Sequence, residues 1–186
     1  KALEMETSKN DQLQYLSQKV DLFGKAKMYG EQIKAIQKSI ELKGTTSELD
    51  YYKLSSAADK AKDYVLGLDI ARKYLAAFPD KSQPVTFFRK SAIGLDPDTT
   101  KGLAIEPLIE LNTFLEKDIE KNRKTVFLNY YYMLLHYADK VKNYVKANEV
   151  LDKMLILYPT PGEENKFIVD QKAMIQKAIA NPKKTK

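Results

Sequence analysis

"YYKLSSAADKAKDYV" (51–65) returns further along the chain as "YYMLLHYADKVKNYV" (131–145), 80 residues later. Extending the match to 51–79 against 131–159 keeps Tyr51/Tyr131, Tyr52/Tyr132, Leu54/Leu134, Ala58/Ala138, Asp59/Asp139, Lys60/Lys140, Tyr64/Tyr144, Val65/Val145, Leu75/Leu155 and Pro79/Pro159 identical. A fixed period is the mark of a repeated supersecondary unit. In the second copy Tyr144, Ala147, Leu151, Met154, Leu155 and Tyr158 fall at steps of three and four, which is one apolar stripe of a helix. Tyr64, Gly67, Ala71, Tyr74, Leu75 and Phe78 repeat that stripe in the first copy. Pro79 and Pro159 close it, because proline lacks the N–H and clashes one turn back. The earlier half of each copy is a second amphipathic stretch ending near "ADK", so each copy reads as a helical hairpin.

A weaker copy precedes these. "MYGEQIKAIQKSIELKG" (28–44) carries Tyr29, Ile33, Ile36 and Ile40, with Gly44 in place of the closing proline. The stretch 94–102, "GLDPDTTKG", is a loop by its Gly, Pro and Asp content, and "LAIEPLIELNTFLEK" then resumes as a helix expected to kink at Pro107. A last segment, 163–180, with Phe167, Met174, Ile175 and Ile179 on its apolar side, is expected to cap the array. The expected organisation is a polar segment 1–10, a helical repeat domain 11–180 with units 11–44, 47–80, 84–120 and 125–160 and the cap, and a basic tail 181–186. The expected fold is all-α, with antiparallel helix pairs. Nothing in the chain alternates as a strand does.

Composition narrows the function. The 186 residues are 44% hydrophobic and 30% charged, a globular balance, and no apolar run is long enough to span a bilayer. Net charge is +6, yet Lys183, Lys184 and Lys186 supply half of it, and only Arg72, Arg89 and Arg123 among the 31 basic residues are arginine. Scattered lysines solubilise more than they read nucleic acid, so nucleic acid is not the expected partner. With no cysteine there is neither a disulfide nor a thiolate metal site. The chain opens on Lys1 without a leader-like apolar segment, which reads as a processed form or a piece of a longer chain.

Paired helices at a period near 34, with Tyr opening the second helix, a small residue three on and a closing Pro, resemble the tetratricopeptide (TPR) repeat. In that register Ala147 and Gly67 are the small positions where two helices meet closely. Tyr131 and Leu134, with Tyr51 and Leu54, fall at the aromatic and leucine positions of the first helix. The resemblance covers about 11 to 160. It departs at Leu135, where its counterpart Ser55 is small, and at Gln32, where alanine is usual. It implies a right-handed superhelix of helix pairs and a non-catalytic role in binding a protein or peptide. "LDPDTTKGLAIEPLIEL" followed by "YYYMLLHYADKVKNYVKANEVLDKMLILYP" also resembles cell-envelope TPR proteins of Bacteroidetes, which implies a periplasmic or envelope location within a larger protein.

Catalytic signatures are missing. His136 is the single histidine, so no histidine cluster can hold a metal, and its expected place is the exposed face of a first helix. No GxxxxGK[ST], GxGxxG or GxSxG occurs, and neither a cofactor nor a metal is expected. Glu163 and Glu164 are adjacent and diverge on a helix. Asp96 and Asp98 lack the further oxygen ligands of a calcium loop and read as turn residues. The resemblance puts Asn129, Tyr132, His136, Asp139 and Lys140 of one first helix on a concave groove, with Leu49, Tyr52, Ser56, Asp59 and Lys60 as their counterparts. The positions at which TPR domains grip a peptide carboxylate hold Ser17, Tyr52 and Tyr132, then Asp21, Ser56 and His136, so a carboxylate clamp is not expected. Two readings of the tyrosine-rich face stand at this point. It is either a peptide groove with Tyr anchors or a packing surface between neighbouring repeats, and the whole is then a scaffold or a spacer. An enzymatic or small-molecule site would need a concave polar pocket around His136.

Overall fold

Three hairpin turns of the chain share one recipe. A helix ends on a lysine in the left-handed conformation, Lys27 (φ 57°), Lys62 (φ 57°) or Lys142 (φ 55°), and a tyrosine two residues on opens the next helix. Between them, Asp63 accepts from the N–H of Leu66 and Asn143 accepts from the N–H of Lys146, so each caps the helix it precedes. Gly44 (φ 78°) ends a helix in the same left-handed way, without strain because it has no Cβ. Phe78 and Tyr158 leave the helical region ahead of Pro79 and Pro159, as the residue before a proline is driven to do.

The computed structural model describes residues 8–181. Among these are nine α-helices and no strand: α1 (Lys9–Lys25), α2 (Tyr29–Lys43), α3 (Glu48–Ala61), α4 (Tyr64–Ala77), α5 (Ser82–Gly94), α6 (Ile105–Leu115), α7 (Ile119–Leu134), α8 (Tyr144–Leu157) and α9 (Glu163–Ala180). A 3-10 turn, Glu116–Asp118, leads into α7, and a π-helical segment, Leu135–Lys140, follows it. The fold is all-α, as expected. The expected polar start (1–10) lies in part, and the basic tail (181–186) almost wholly, outside the described residues.

The chain divides into two compact units, Lys1–Leu95 and Asp96–Lys186. In the first, α1 to α5 pack each on the next, and α3 also meets α5. Its core joins Val20, Ile33, Ile36, Leu54, Ala58 and Ile70. Tyr74 is buried and stacks on Tyr51 (5.4 Å between centroids), and Phe78 meets both edge-on. Gly67 sits where helices approach: a Cβ there would lie 2.6 Å from Ser91 Oγ. In the second unit α6 packs on α7, α7 on α8 and α8 on α9. Leu108, Leu111, Leu115, Leu151, Met154, Tyr158 and Ile168 are fully enclosed there.

Two expectations about the irregular segments need correction. Pro107 does not kink a helix. It stands in the first turn of α6, where its missing N–H has no partner to lose. On α9 the buried residues are Ile168 and Ile175; of the residues expected to face inward Ile175 does so, while Met174 and Ile179 are exposed.

Candidate functional site

The segment 96–102 is built on its own carboxylates. Asp96 is buried and accepts the N–H groups of Lys101 and Gly102, while Asp98 accepts the N–H and hydroxyl of Thr100. Both therefore do turn chemistry. Among the described residues no group of three or more His, Cys, Asp or Glu is placed to hold a metal ion.

That segment lies on the face expected to be open. Tyr132 is buried and its hydroxyl donates to Asp96 O. His136 is buried and its Nδ1 lies 2.6 Å from Thr99 O. A carbonyl can only accept, so the imidazole proton sits on Nδ1. Gly102 (φ 72°) closes over the ring, where a Cβ would stand 2.9 Å from Nε2. Burial first, then the carboxylates of Asp96 and Asp98, push the Tyr132 phenol up to about 12. Asn129 is fully enclosed and donates to Asn112 Oδ1 at 2.7 Å. The expectation that Asn129, Tyr132 and His136 face a groove is thus corrected, and with it the exposed place given to His136. Asp139 and Lys140 are exposed, as are Tyr52 and Lys60, while Ser56 and Asp59 are half-buried. Asp59 is tied to Lys90 of α5 at 2.6 Å.

The cause is a change of register. At the first two lysine turns the residue after the lysine donates to the carbonyl five back, Met28 to Phe23 and Asp63 to Ala58. At the third, Asn143 donates to Tyr137, six back. The π-helical segment takes up that extra residue, and one residue is about 100° of helix rotation. Asp50, Leu54, Ser55 and Ala57 of α3 are buried, and their counterparts in burial are Asn129, Met133, Leu134 and His136, each 79 residues on. The helices after the turns keep the interval of 80, with Gly67 and Ala147 both buried.

The residue that stands in for Tyr52 is therefore Tyr131. Tyr52 meets Phe87 edge-on (5.6 Å, 73°) and Tyr131 meets Phe167 in the same way (5.7 Å, 67°). Around Tyr131 lies a groove of ≈ 520 Å³, lined by Lys124, Phe127, Leu128, Tyr131, Glu163, Glu164 and Phe167. Leu128 and Tyr131 lie open in it; in the first unit Leu49 and Tyr52 are likewise exposed, and Tyr52 lies beside Phe87. Lys124 stands on the rim from α7, and Glu163 and Glu164 from the first turn of α9. The groove can seat an apolar side chain against aromatic edges and meet charge of either sign around it. The pairing of Phe87 with Phe167 carries the interval of 80 eight residues past Pro159, and continuing the sequence match that far is the signal that points to this face.

No protein-family model matches the chain, and neither does any curated protein or solved structure.

Proposed function

We propose that the chain is a non-catalytic protein-interaction scaffold built from helix pairs of the TPR type, part of a larger envelope-associated protein. Its binding face is the one around Leu128, Tyr131 and Phe167 and its counterpart around Leu49, Tyr52 and Phe87. The observation that carries this reading is the repetition, in both units, of an exposed tyrosine edge-on to a phenylalanine with an exposed leucine three residues before the tyrosine. Large exposed apolar residues grouped on one face mark sites of association. A photo-crosslinking side chain placed at Leu128 or Leu49 is expected to capture one defined protein in the source cell. The same group at Val145 or Ile156, which are more exposed but lie outside the groove, is expected to capture none. Equal capture at all four positions, or capture unchanged by Tyr131→Ala with Tyr52→Ala, overturns the scaffold. Cell fractionation tests the envelope location.

A second reading has its own observation. The segment 96–102 already covers Tyr132 and His136, which is how a spacer with no groove in use is built. Intact assemblies in cells carrying the double alanine variant favour it.

A further inference from the structure

Two unusual backbone features face one another in the second unit. One is the π-helical segment Leu135–Lys140. The other is Thr99, a β-branched residue held at φ 61°, with its hydroxyl buried and without a hydrogen-bond partner. Left-handed backbone is costly for a β-branched residue, and an unmet buried hydroxyl adds to it, so both persist only where surrounding contacts hold them. The contact that joins the two is the bond between His136 Nδ1 and Thr99 O.

The same helix carries a second register in its sequence. Moving α7 by one residue would make the helix regular through Lys140 and restore the interval of 80 at which Tyr51 and Tyr131, Tyr52 and Tyr132, Leu54 and Leu134 are identical. Each inward residue is then replaced by its successor: Asn129 by Tyr130, Met133 by Leu134, Leu134 by Leu135 and His136 by Tyr137. The inward set loses an amide and an imidazole and becomes aliphatic and aromatic throughout. The present register buries Asn129 and His136 instead, and Tyr132 and His136 are satisfied only by carbonyls of the segment 96–102. Docking of that segment and the π-helical register therefore support each other through Tyr132 and His136, while Asn129 is met by Asn112 of α6.

We propose that 96–102 is a strap that selects between two registers of α7. With the strap docked, α7 presents Leu128 and Tyr131 to Phe167. With it released, the helix rotates by about 100° and advances about 1.5 Å, the π-helical segment becomes α-helical, and Asn129 and Tyr132 take those places. The 3-10 turn Glu116–Asp118 ahead of α7 absorbs the shift. The strap would thus replace a leucine of the groove lining by an amide while keeping a tyrosine beside Phe167. That consequence rests on the groove reading above; the rotation itself does not.

The chain has no cysteine, so introduced pairs report without background. Lys124→Cys with Glu163→Cys reports the docked register, and Thr125→Cys with Glu163→Cys the released one, each joined by a short thiol-reactive linker. In the otherwise unaltered chain the first pair is expected to react at least tenfold more than the second. Gly102→Ala, which drives a methyl into the His136 ring, is expected to reverse that ratio, and Asp96→Ala, which removes the acceptor for two strap N–H groups, to move it the same way. An unchanged ratio in either variant, with helical circular dichroism retained, overturns the switch. The unaltered chain gives a second measurement that needs no folded variant: its one histidine reports imidazole exchange by ¹⁵N relaxation dispersion. Dispersion shared by His136, Tyr131 and Tyr132 supports two registers, and flat profiles at all three overturn them. No partner enters either experiment, so loss of the groove reading leaves this result standing.

Discussion

Replacing Tyr132 by phenylalanine should weaken the second unit at neutral pH and turn stabilising in strong alkali. The phenol is buried and donates its proton to Asp96 O, so the folded state needs the neutral form. Its folded value is raised to about 12, against about 10 in an unfolded chain. A group raised on folding stabilises fully below its unfolded value and loses that contribution as pH climbs toward its folded one. The loss starts near pH 10 and ends near pH 12, at about 1.4 kcal/mol per pH unit, on the order of 2 to 3 kcal/mol in total. Below pH 10 the hydrogen bond alone should make the unaltered protein about 1 kcal/mol more stable than Tyr132→Phe, with more lost if Asp96 O stays unpaired. Between pH 9 and pH 11 that advantage should shrink by about 1.3 kcal/mol. Urea unfolding of both proteins at the two pH values measures it. Subtracting one from the other cancels the many lysines and the other tyrosines, which titrate alike in both. A difference that stays constant from pH 9 to pH 11 would refute the buried, donating phenol and the docked segment with it.

Gly94→Ala should cost about 1–3 kcal/mol, because the new Cβ would lie 2.4 Å from Tyr64 Cδ1 and a ring cannot yield as a flexible chain end can. The loss should be smaller in a chain that also carries Tyr64→Ala, as thermal unfolding of the double-mutant cycle will show. Lys62→Gly should stabilise by about 0.5–1 kcal/mol, since relief of the left-handed backbone exceeds the extra entropy of an unfolded glycine. A fall in denaturant midpoint would contradict it. Lowering pH should weaken the α2–α3 junction below the usual carboxylate range. Burial alone would raise the Asp50 carboxyl, but bonds from Lys43 and Ser47 outweigh it and hold it low, so its contribution is present above the unfolded value and lost as pH falls through the folded one. Asp50→Asn should flatten that acid limb of the stability curve.

The helix pairs were legible because their determinants are local. The stripes ending at Phe78 and Tyr158, the prolines behind them and Gly44 each act within a turn or two of the chain. The groove face was not legible because it depends on the rotational phase of one helix against the next. The interval of 80 resumes at "ADK" after the mismatched positions 55–57 and 135–137, with no insertion in the alignment, so nothing in it announces an extra residue in the hairpin turn at Asn143. That phase is decided by a segment outside the match, 96–102, which supplies carbonyls to Tyr132 and His136. Tyr131 and Tyr132 consequently exchange roles: the first is open to solvent and the second enclosed. In the first unit, where no such segment intervenes, Tyr52 stands exposed as expected.

The boundary between the units, at Leu95 and Asp96, also has a bearing on how the protein can be dissected. Asp96, Thr99 and Gly102 all fall on the same side of it as Tyr132 and His136. A genetic cut at that junction would hand the whole latch, clasp and catch together, to the C-terminal piece. A cut only a few residues later, beyond Gly102, would leave the catch without its clasp, and two truncations differing by seven residues should present different surfaces to the same antibody.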